Sequence, residues 1–376
     1  MINVLQILPS LTIDSGITSF VLNMKRYIDP ECFHFDFFHH AVLDGQLPPG
    51  SLDNSLVASG SKVYSVTHAK QSAIGFMHKA NDVLEKIGQN YQIVHCHVPN
   101  NAFVTLRACQ KEGVGVRIIH SHLNSSSDNA FHRVRNKPLI ALGKKYANAY
   151  LACSNEAGHY LFGKDSFQVI NNGIHLENFV FDESFRGRMR CELGIPQSAP
   201  AIGCVGRFVQ QKNYLFAVNV FKAFLANSRD ARLVILGDGE DRALIEARVN
   251  ELGLSDRILF LGVRDDVARF YSVFDVFFMP SLCEGLPISA VEAQASGLPC
   301  VFSTNVPKES DIIGTGKFIS LDESFSVWCS SLQDAIVSGR LWNSQAKLIS
   351  AGYSAKENAN KLMAYYEMLI NGAYKC

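Results

Sequence analysis

Short apolar runs recur along most of the chain, separated by longer segments that carry helix-start and helix-stop residues. The runs occupy residues 2–8, 93–97, 117–122, 149–154, 202–206, 232–237, 257–262, 275–280 and 300–304. Apolar runs of this length are typical of strands. The first is followed by a glycine-containing loop and a helix, which is the usual opening of a Rossmann-like unit. The pattern therefore predicts an α/β fold with parallel sheets.

This pattern starts twice, which predicts two domains. The first start is the strand 2–8 with a helix from 17 to about 28, and the second is the strand and loop at 202–213. A length of 376 residues also favours two domains. All twelve histidines lie at or before His175, which supports a boundary near that residue. We expect domains over residues 1–170 and 171–354 and a final amphipathic helix over 355–376.

The clearest single element is a helix with a stop signal at each end, placed after the apolar run 275–280. Pro287 is suited to be its first residue, because a proline there loses no useful N–H. Gly297 can adopt the left-handed cap that ends a helix, and Pro299 prevents continuation. The sequence thus predicts a short helix between two buried strands.

The turn before this helix predicts an anion site. Glu284, Gly285 and Leu286 precede the helix, so their region should present free N–H groups at the positive end of the helix dipole, where a diphosphate is the usual occupant. Glu292 lies about a turn and a half inside the helix. Carboxylates are poor phosphate ligands, so we expect Glu284 and Glu292 to meet neutral hydroxyls, such as those of a sugar. A bare pair of glutamates at this spacing would more often be solvated surface charge.

A second candidate for phosphate binding is the loop after the strand 202–206. Arg207 and Lys212 flank this loop. A guanidinium and an ammonium directed at one point suit a diphosphate leaving group, whose negative charge grows as its bond breaks. The alternative is an incidental pair of surface cations. We expect both side chains to lie in an open cleft.

These residues resemble the motifs of family 4 retaining glycosyltransferases, which share the GT-B fold. Glu284 through Glu292 resembles the E-x7-E motif, and Arg207 through Lys212 resembles the G-R-x-x-x-x-K element. The resemblance covers most of the chain and is most specific between 202 and 304. It implies two Rossmann-like parallel-sheet domains with a cleft between them, the first binding the acceptor and the second the nucleotide sugar, and a C-terminal helix that crosses back onto the first.

Two histidines lie at the carboxyl ends of predicted strands, His97 and His122. Ligands of open parallel sheets bind beyond such ends, although a lone histidine is more often structural. The resemblance implies that a histidine at the end of the strand 116–122 bonds the donor sugar. His122 is the better match, and His120 stays an alternative because it points to the same face.

The resemblance suggests three further donor contacts. Val263 and Arg264 follow the strand 257–262, where relatives contact the nucleotide base, largely through the backbone. Gly16 lies in the first loop, where the family has two glycines and this chain has Ser15 and Gly16. Gly16 can still let the backbone approach a ligand, whereas a plain strand-to-helix turn is the simpler interpretation.

The resemblance also implies the chemistry. A hexose or N-acetylhexosamine would pass from a nucleoside diphosphate, with uridine diphosphate expected, to a glycan hydroxyl with retained configuration. Glu284 would hold sugar hydroxyls and Glu292 ribose hydroxyls, and neither would be a nucleophile. No Asp-x-Asp pair occurs in the sequence. We therefore expect no metal and no other cofactor, with Arg207, Lys212 and the helix dipole carrying the phosphate charge.

Composition limits the partners. A formal net charge of zero argues against nucleic acid as a main partner, and ten cysteines without a C-x-x-C pair suit a reducing cytosol. No run of eighteen apolar residues exists, so any membrane contact should be peripheral. Residues 130–147 are basic with interleaved aromatics, which favours either contact with anionic lipid at the inner face of the cell membrane or a plain solvated helix.

The acceptor is expected to be a glycan or a glycan linked to polyprenyl diphosphate, since the resemblance is to transferases of capsule and exopolysaccharide assembly. Two other function classes stay open. A nucleotide-sugar epimerase of the same fold would form product without an acceptor, and a non-catalytic glycan-binding or lipid-binding protein would have lost its motif residues. A dehydrogenase is disfavoured because no G-x-G-x-x-G follows the first strand.

Overall fold

The computed structural model describes residues 1–12, 15–122 and 130–373, without the side chains of 130–135 and 373. It divides into two compact units. Unit 1 consists of Met1–Gly173 together with the segment from Ser354 onward, and unit 2 is Ile174–Tyr353.

Strands and helices alternate along both units. The strands are β1 Ile2–Leu8, β2 Phe33–Val42, β3 Val63–Thr67, β4 Ile93–Cys96, β5 Val116–Ser121, β6 Ala149–Ala152, β7 Gln168–Val169, β8 Ala201–Val205, β9 Arg232–Leu236, β10 Ile258–Phe260, β11 Val276–Met279, β12 Cys300–Ser303 and β13 Lys317–Ile319. The helices are α1 Gly16–Tyr27, α2 Asp53–Ala58, α3 Ala73–Ile87, α4 Ala102–Lys111, α5 Ala130–Lys144, α6 Asn155–Phe162, α7 Glu183–Glu192, α8 Tyr214–Phe224, α9 Arg242–Glu251, α10 Val267–Phe270, α11 Ile288–Ala295, α12 Phe325–Ser338, α13 Ser344–Ser350 and α14 Ala355–Ala373.

Unit 1 is built on a parallel sheet of seven strands in the order β3-β2-β1-β4-β5-β6-β7. Helices cover both faces, which explains why its strands are nearly continuous apolar runs. Within β1, Val4 and Leu8 join the core beside α1 and α14, while Leu5 and Ile7 join the opposite core. The final helix α14 thus packs on the first unit, as predicted.

Unit 2 repeats the plan with six parallel strands in the order β10-β9-β8-β11-β12-β13. Its central strands β8 and β11 are neighbours although 70 or more residues separate them. This is because β9 and β10 are added on one side of β8, and β11, β12 and β13 are then added on the other side. Such a reversal leaves the loops after β8 and β11 side by side at the carboxyl edge of the sheet. The prediction of two Rossmann-like parallel-sheet domains is confirmed.

The short helix α11 follows its predicted bounds closely. Gly297 has φ of +75°, and the N–H of Leu298 donates to the carbonyl of Ala293 (3.0 Å), so the predicted left-handed cap is confirmed. Pro287 lies one position earlier than predicted. It is the N-cap, with ψ of 113°, and the first helical residue is Ile288. A fixed proline φ suits either position. Within the described ranges, no helix has both the length and the apolar character needed to cross a membrane.

Candidate functional site

The loop that follows β8 folds tightly against its own helix. Gly206 has φ of +153°, and its N–H donates to the carbonyl of Leu236 in β9 (3.0 Å). A Cβ at Gly206 would lie 3.2 Å from the hydroxyl of Tyr214 and 3.3 Å from Cε of Lys212. A side chain here would therefore be strained by the backbone and crowded by Lys212, which explains the glycine.

The loops that follow the adjacent strands β8 and β11 are bonded to each other. The N–H of Leu282 donates to the carbonyl of Gln211 (2.8 Å), and Nε2 of Gln211 donates to the carbonyl of Cys283 (2.9 Å). The side-chain amide of Asn213 donates to the carbonyl of Pro280 (3.1 Å). These bonds hold the two loops together at the edge where parallel sheets bind ligands.

An ion pair joins the same two loops. Nζ of Lys212 lies 2.6 Å from Oε1 of Glu284, and Nε2 of Gln211 donates to the other carboxylate oxygen (3.3 Å). The side chains of Lys212 and Glu284 keep only 17% and 6% of their surface exposed. The Glu284 carboxylate is therefore already compensated by a cation and an amide.

One of the two predicted phosphate-binding cations lies open, and the other does not. Arg207 is exposed, and its guanidinium has no ion pair or hydrogen bond among the described residues. The expectation of an open position is wrong for Lys212, because Glu284 holds its ammonium. These two residues are 72 positions apart, so nothing in the loop sequence indicates the pairing.

Helix α11 begins without a side-chain cap, directly after the turn that carries Glu284. Its N-cap is Pro287, which has no side-chain donor or acceptor. Gly285 and Leu286 are exposed, and their N–H groups, like that of Ile288, have no partner within the described parts of the chain. Free N–H groups at a helix N-terminus attract anions. The turn is therefore chemically suited to a phosphate.

Glu292, the second glutamate of the motif, is half-buried and hydrogen-bonded. The hydroxyl of Tyr271 donates to its Oε2 (2.7 Å), and the same hydroxyl also lies 3.3 Å from the carbonyl of Ser289. Burial raises the pKa of Glu292 to about 7, although the bond from Tyr271 opposes this shift. No motif marks Tyr271, so its role is not predictable from the sequence; its place at the end of α10, facing α11, is a tertiary feature.

The two predicted base contacts differ in availability. Val263 is 79% exposed and follows Gly262, whose φ is +68°. Arg264 is engaged by both oxygens of Asp266 (2.7 and 3.0 Å), and its guanidinium lies over the ring of Phe270 at 4.5 Å from the ring centroid. Val263 thus offers a free apolar surface, whereas the side chain of Arg264 is held in place.

Gly16 is the first residue of α1 in unit 1. Ser15 is the N-cap, and its hydroxyl accepts from the N–H of Thr18 (3.3 Å). A Cβ at Gly16 would meet nothing within 4 Å, so local packing does not require glycine there. The serine that replaces the family's usual glycine therefore caps the helix.

The two candidate histidines of β5 differ in exposure. His120 is completely buried, and its Nδ1 lies 3.1 Å from Nε2 of His95. His122 is half-buried, and its Nε2 lies 2.7 Å from Nδ1 of His97. His122 is therefore the candidate that a ligand can reach. The period-two spacing of His95 and His97, matched by that of His120 and His122, is the signal that places all four rings on one face.

His122 lines a cavity of about 700 Å³ in unit 1. The cavity lies beyond the carboxyl ends of β1, β4 and β5, where Pro9 and His97 also reach it. Its walls are mainly apolar side chains from α3 to α6, including Phe76, Met77, Phe103, Leu139, Ile140 and Leu161. Polar groups from His40, His68 and Lys70 line another part. The cavity can therefore hold a ligand with an apolar portion.

The predicted lipid-facing segment 130–147 forms α5 and the turn after it. The side chains of 130–135 lie outside the described residues. Lys144 pairs with Asp165 (2.6 Å), whereas Lys137 and Lys145 are exposed. One cation of the segment is thus already neutralised by the protein.

Comparison with known sequences assigns the family. The sequence profile described as "Glycosyl transferases group 1" matches residues 185–326. A Bacillus subtilis (strain 168) protein named as a glycosyltransferase, EpsF, is 31% identical over 366 residues, which cover 94% of this chain and 93% of that protein. The Escherichia coli UDP-Gal:alpha-D-GlcNAc-diphosphoundecaprenol alpha-1,3-galactosyltransferase is 26% identical over 302 residues, covering 75% of this chain and 77% of that protein.

Solved structures assign the fold. Anabaena HepE, crystallised in complex with UDP, is 16% identical and superposes with a TM-score of 0.77 over 98% of this chain and 100% of that one. Sucrose-phosphate synthase from Thermosynechococcus elongatus is 18% identical, with a TM-score of 0.72 over 99% of this chain and 100% of that one. The chain has the GT-B fold and belongs to the group 1 glycosyltransferases.

Proposed function

We propose that this glycosyltransferase is a retaining, metal-independent enzyme of surface polysaccharide biosynthesis. It moves a hexose or N-acetylhexosamine from a UDP-sugar to a glycan or a lipid-linked glycan. One observation carries the proposal: the bonded loops after β8 and β11 in unit 2 combine the paired Lys212 and Glu284 with the exposed Arg207 and the uncapped start of α11. Cation, carboxylate and free N–H groups together are what a sugar diphosphate requires.

The donor diphosphate binds at the start of α11. Arg207 and the N–H groups of Gly285 and Leu286 are unpartnered donors, and all suit phosphate oxygens. Lys212 lies next to them in the bonded loops and shares its charge between Glu284 and the incoming phosphate. This sharing leaves one Glu284 oxygen more available to a sugar hydroxyl than in the unliganded protein.

The nucleoside extends along α11 and toward the loop after β10. Glu292 accepts from the ribose hydroxyls, with Tyr271 orienting its carboxylate. Val263, exposed and apolar, lies against the base, and the backbone at Arg264 completes that contact. Uridine is supported by two comparisons: HepE was crystallised with UDP and with UDP-glucose, and the E. coli relative is named for UDP-Gal.

Transfer takes place on one face of the sugar. The bond from the anomeric carbon to the diphosphate oxygen breaks, a bond to the acceptor oxygen forms on the same face, and the acceptor proton passes to the departing phosphate. Arg207, Lys212 and the N-terminus of α11 offset the charge that grows on the diphosphate. Glu284 acts as a hydrogen-bond acceptor, which agrees with its contacts to Lys212 and Gln211.

Unit 1 binds the acceptor, and its His122 bonds a sugar hydroxyl. The cavity beside His122 has apolar walls, which suits an acceptor with a lipid portion, and the E. coli relative is named for a diphosphoundecaprenol-linked acceptor. Transfer then occurs in the cytoplasm at the inner face of the membrane. The exposed Lys137 and Lys145 and the 37% exposed Leu142 support a peripheral contact through 130–147.

Donor hydrolysis without an acceptor tests the proposal. Purified protein is incubated with a panel of UDP-, GDP- and ADP-sugars in excess chelator, and sugar release is followed by anomeric NMR. The proposal predicts slow hydrolysis of one or more UDP-sugars, unchanged within a few-fold by magnesium, with the α-linked sugar released first as the α-anomer. Release of the opposite anomer would contradict retention, and an isomerised nucleotide sugar would indicate an epimerase.

A further inference from the structure

A chain of hydrogen bonds runs through the core of unit 1 and ends at His122. We call it the histidine chain; its members, in order, are His122, His97, Gln6, Tyr366, His95 and His120. They come from β1, β4, β5 and α14 and from the residues just after β4 and β5. Five of the six keep 2% or less of their surface exposed, and His122 is half-buried at the edge of the cavity.

The amide of Gln6 sets the donor-to-acceptor direction of the hydrogen bonds in the histidine chain. Its Nε2 donates to the hydroxyl of Tyr366 (3.3 Å), so its Oε1 is the acceptor for Nε2 of His97 (2.9 Å). His97 then carries its proton on Nε2 and accepts on Nδ1. The donor to that nitrogen is Nε2 of His122 (2.7 Å), which leaves Nδ1 of His122 without a proton.

The same alternation of donor and acceptor sets the direction of the hydrogen bonds in the other half of the histidine chain. The hydroxyl of Tyr366, which accepts from Gln6, donates its own proton to Nδ1 of His95 (2.6 Å). His95 therefore donates through Nε2 to Nδ1 of His120 (3.1 Å). The chain ends at Nε2 of His120, which is buried and has no hydrogen-bond partner among the described residues. The ring of Phe20 lies perpendicular to His120, with centroids 5.0 Å apart.

Burial keeps these imidazoles neutral, so each has one donor nitrogen and one acceptor nitrogen. It lowers the pKa of His122 to about 3 and those of His95, His97 and His120 well below the usual value. Nitrogens of His95, His97 and His120 also lie within 4.8 Å of one another, close enough for a shared metal ion. The hydrogen bonds occupy all of their nitrogens except Nε2 of His120, which favours a hydrogen-bonded chain over a metal site.

We propose that Gln6, His97 and Tyr366 are positioning residues that hold His122 as the tautomer protonated on Nε2. His122 then faces its ligand with the lone pair of Nδ1, which has no partner among the described residues. A lone pair accepts from a hydroxyl and repels a phosphate oxygen. The group selected at His122 is therefore a hydroxyl donor, a sugar hydroxyl if the proposed function holds, on which this identification of the ligand rests.

Nitrogen NMR on histidine-labelled protein tests the tautomer directly. Signals of His122 are assigned by their loss in a His122→Asn variant, and long-range proton–nitrogen correlations tell a protonated ring nitrogen from an unprotonated one. In the wild-type protein, Nε2 of His122 should be protonated and Nδ1 should not. The reverse pattern would overturn the proposal, and this measurement does not require an active enzyme.

A pair of tyrosine variants on α14 tests whether the histidine chain fixes the tautomer of His122. Tyr366→Phe removes the acceptor of Gln6 and the donor to His95, so the amide can turn and both tautomers of His122 should appear. Tyr365→Phe is the matched control, because the hydroxyl of Tyr365 lies 3.5 Å from the carbonyl of Tyr150 and outside the chain. The control should keep the wild-type tautomer. Equal tautomer populations in all three proteins would contradict the proposed role of Tyr366.

Kinetics separate this inference from the proposed function. If Tyr366→Phe leaves about half of the molecules in the wrong tautomer, kcat/KM for donor hydrolysis should fall about twofold, in proportion to the competent fraction, and Tyr365→Phe should match wild type. Predicted tautomers in a protein that hydrolyses no nucleotide sugar would support the chain and contradict the proposed function. A stoichiometric change of the His95 and His120 signals with Zn²⁺ would instead identify metal ligands and overturn the chain.

Discussion

At the scale of single residues, Lys212 and Glu284 are the most closely linked side chains of the proposed site. Each neutralises the other, at 2.6 Å and with little exposed surface. A buried carboxylate that loses its partner pays the cost of desolvation without compensation. Arg207 is exposed and its guanidinium has no partner within the described residues, so removal of this side chain leaves no other group unpaired. The two cations should therefore respond differently to the same substitution.

We expect Arg207→Ala to slow transfer by about 10² to 10³-fold, the effect of losing ~2.7–4 kcal/mol of transition-state stabilisation, without a change in Tm. Lys212→Ala should slow transfer comparably and also lower the free energy of unfolding by ~1–3 kcal/mol, because Glu284 stays buried and unpaired. The double variant K212A/E284Q is the control and should regain stability but not activity. Wild-type turnover in Arg207→Ala would exclude Arg207 from the site.

Glu292 should make nucleotide binding depend on pH. Its pKa is raised by burial to about 7, so the carboxyl changes charge near neutrality. In the proposed function the ionised form accepts from the ribose hydroxyls, and the protonated form has lost part of that capacity. Affinity for UDP should therefore rise as the pH increases through about 7 and weaken as the pH falls below it.

Titration calorimetry of wild-type and Glu292→Gln protein with UDP, at several pH values from about 6 to 8, measures this effect. Glutamine does not ionise, so the variant should lack the part of the pH dependence of UDP affinity that comes from Glu292. Protonation of UDP itself is common to both proteins and cancels when they are compared. Parallel pH dependence in the two proteins would show that Glu292 does not contact the ribose in its ionised form.

The candidate site was predictable where its residues lie close together in the sequence. Glu284, Glu292, Arg207 and Lys212 stand in local spacings that can be recognised one loop at a time. Their partners could not be found in the same way, because the contact from Lys212 to Glu284 spans 72 positions and that from Tyr271 to Glu292 spans 21. Such contacts depend on which strands become neighbours.

At the scale of elements, α11 connects the proposed site to the core. Its N-terminus carries the free N–H groups, and its buried face includes Ala290, Val291 and Ala293. Gly297 ends the helix with φ of +75°, and its carbonyl accepts from the N–H of Leu341 (2.8 Å). The stop signals in the sequence were sufficient to predict these bounds to within one residue, because helix caps are local.

Substitution of Gly297 should destabilise unit 2 through this cap. Any residue at this position must adopt the left-handed backbone conformation, and its Cβ would lie 2.6 Å from the carbonyl oxygen of Leu341. Gly253 is the matched control, since it ends α9 with φ of +66° and the same two turn hydrogen bonds, but a Cβ would meet nothing within 4 Å. We expect Gly253→Ala to cost ~1 kcal/mol of backbone strain and Gly297→Ala at least ~1 kcal/mol more. Equal losses in thermal or denaturant unfolding would contradict the crowding at Leu341.

At the scale of the whole molecule, the fold class was predictable and the details of unit 1 were not. Repeated strand–helix units and a glycosyltransferase motif were enough to predict two Rossmann-like domains and a final helix packed on the first. The amphipathic pattern predicted the final helix, but not that the hydroxyl of Tyr366 bonds Gln6 and His95, which are 360 and 271 positions away. The cavity beside His122 was equally hidden, because its lining comes from segments spread between Pro9 and Leu161.

The central claim is that unit 2 holds a nucleoside diphosphate sugar with its nucleotide toward Glu292 and its sugar toward Glu284. Calorimetric titration of UDP into Glu284→Gln and Glu292→Gln tests it most directly. Both variants are titrated at a single pH near 8, where their other ionisable groups carry the same charge. UDP contains the ribose but no sugar, so Glu292→Gln should weaken binding by ~1–2 kcal/mol for the lost charge-assisted bonds. Glu284→Gln should bind UDP at least as tightly as wild type, because Lys212 is freed for the diphosphate. Loss of UDP binding in Glu284→Gln with wild-type binding in Glu292→Gln would reverse the two roles and contradict this placement of the donor.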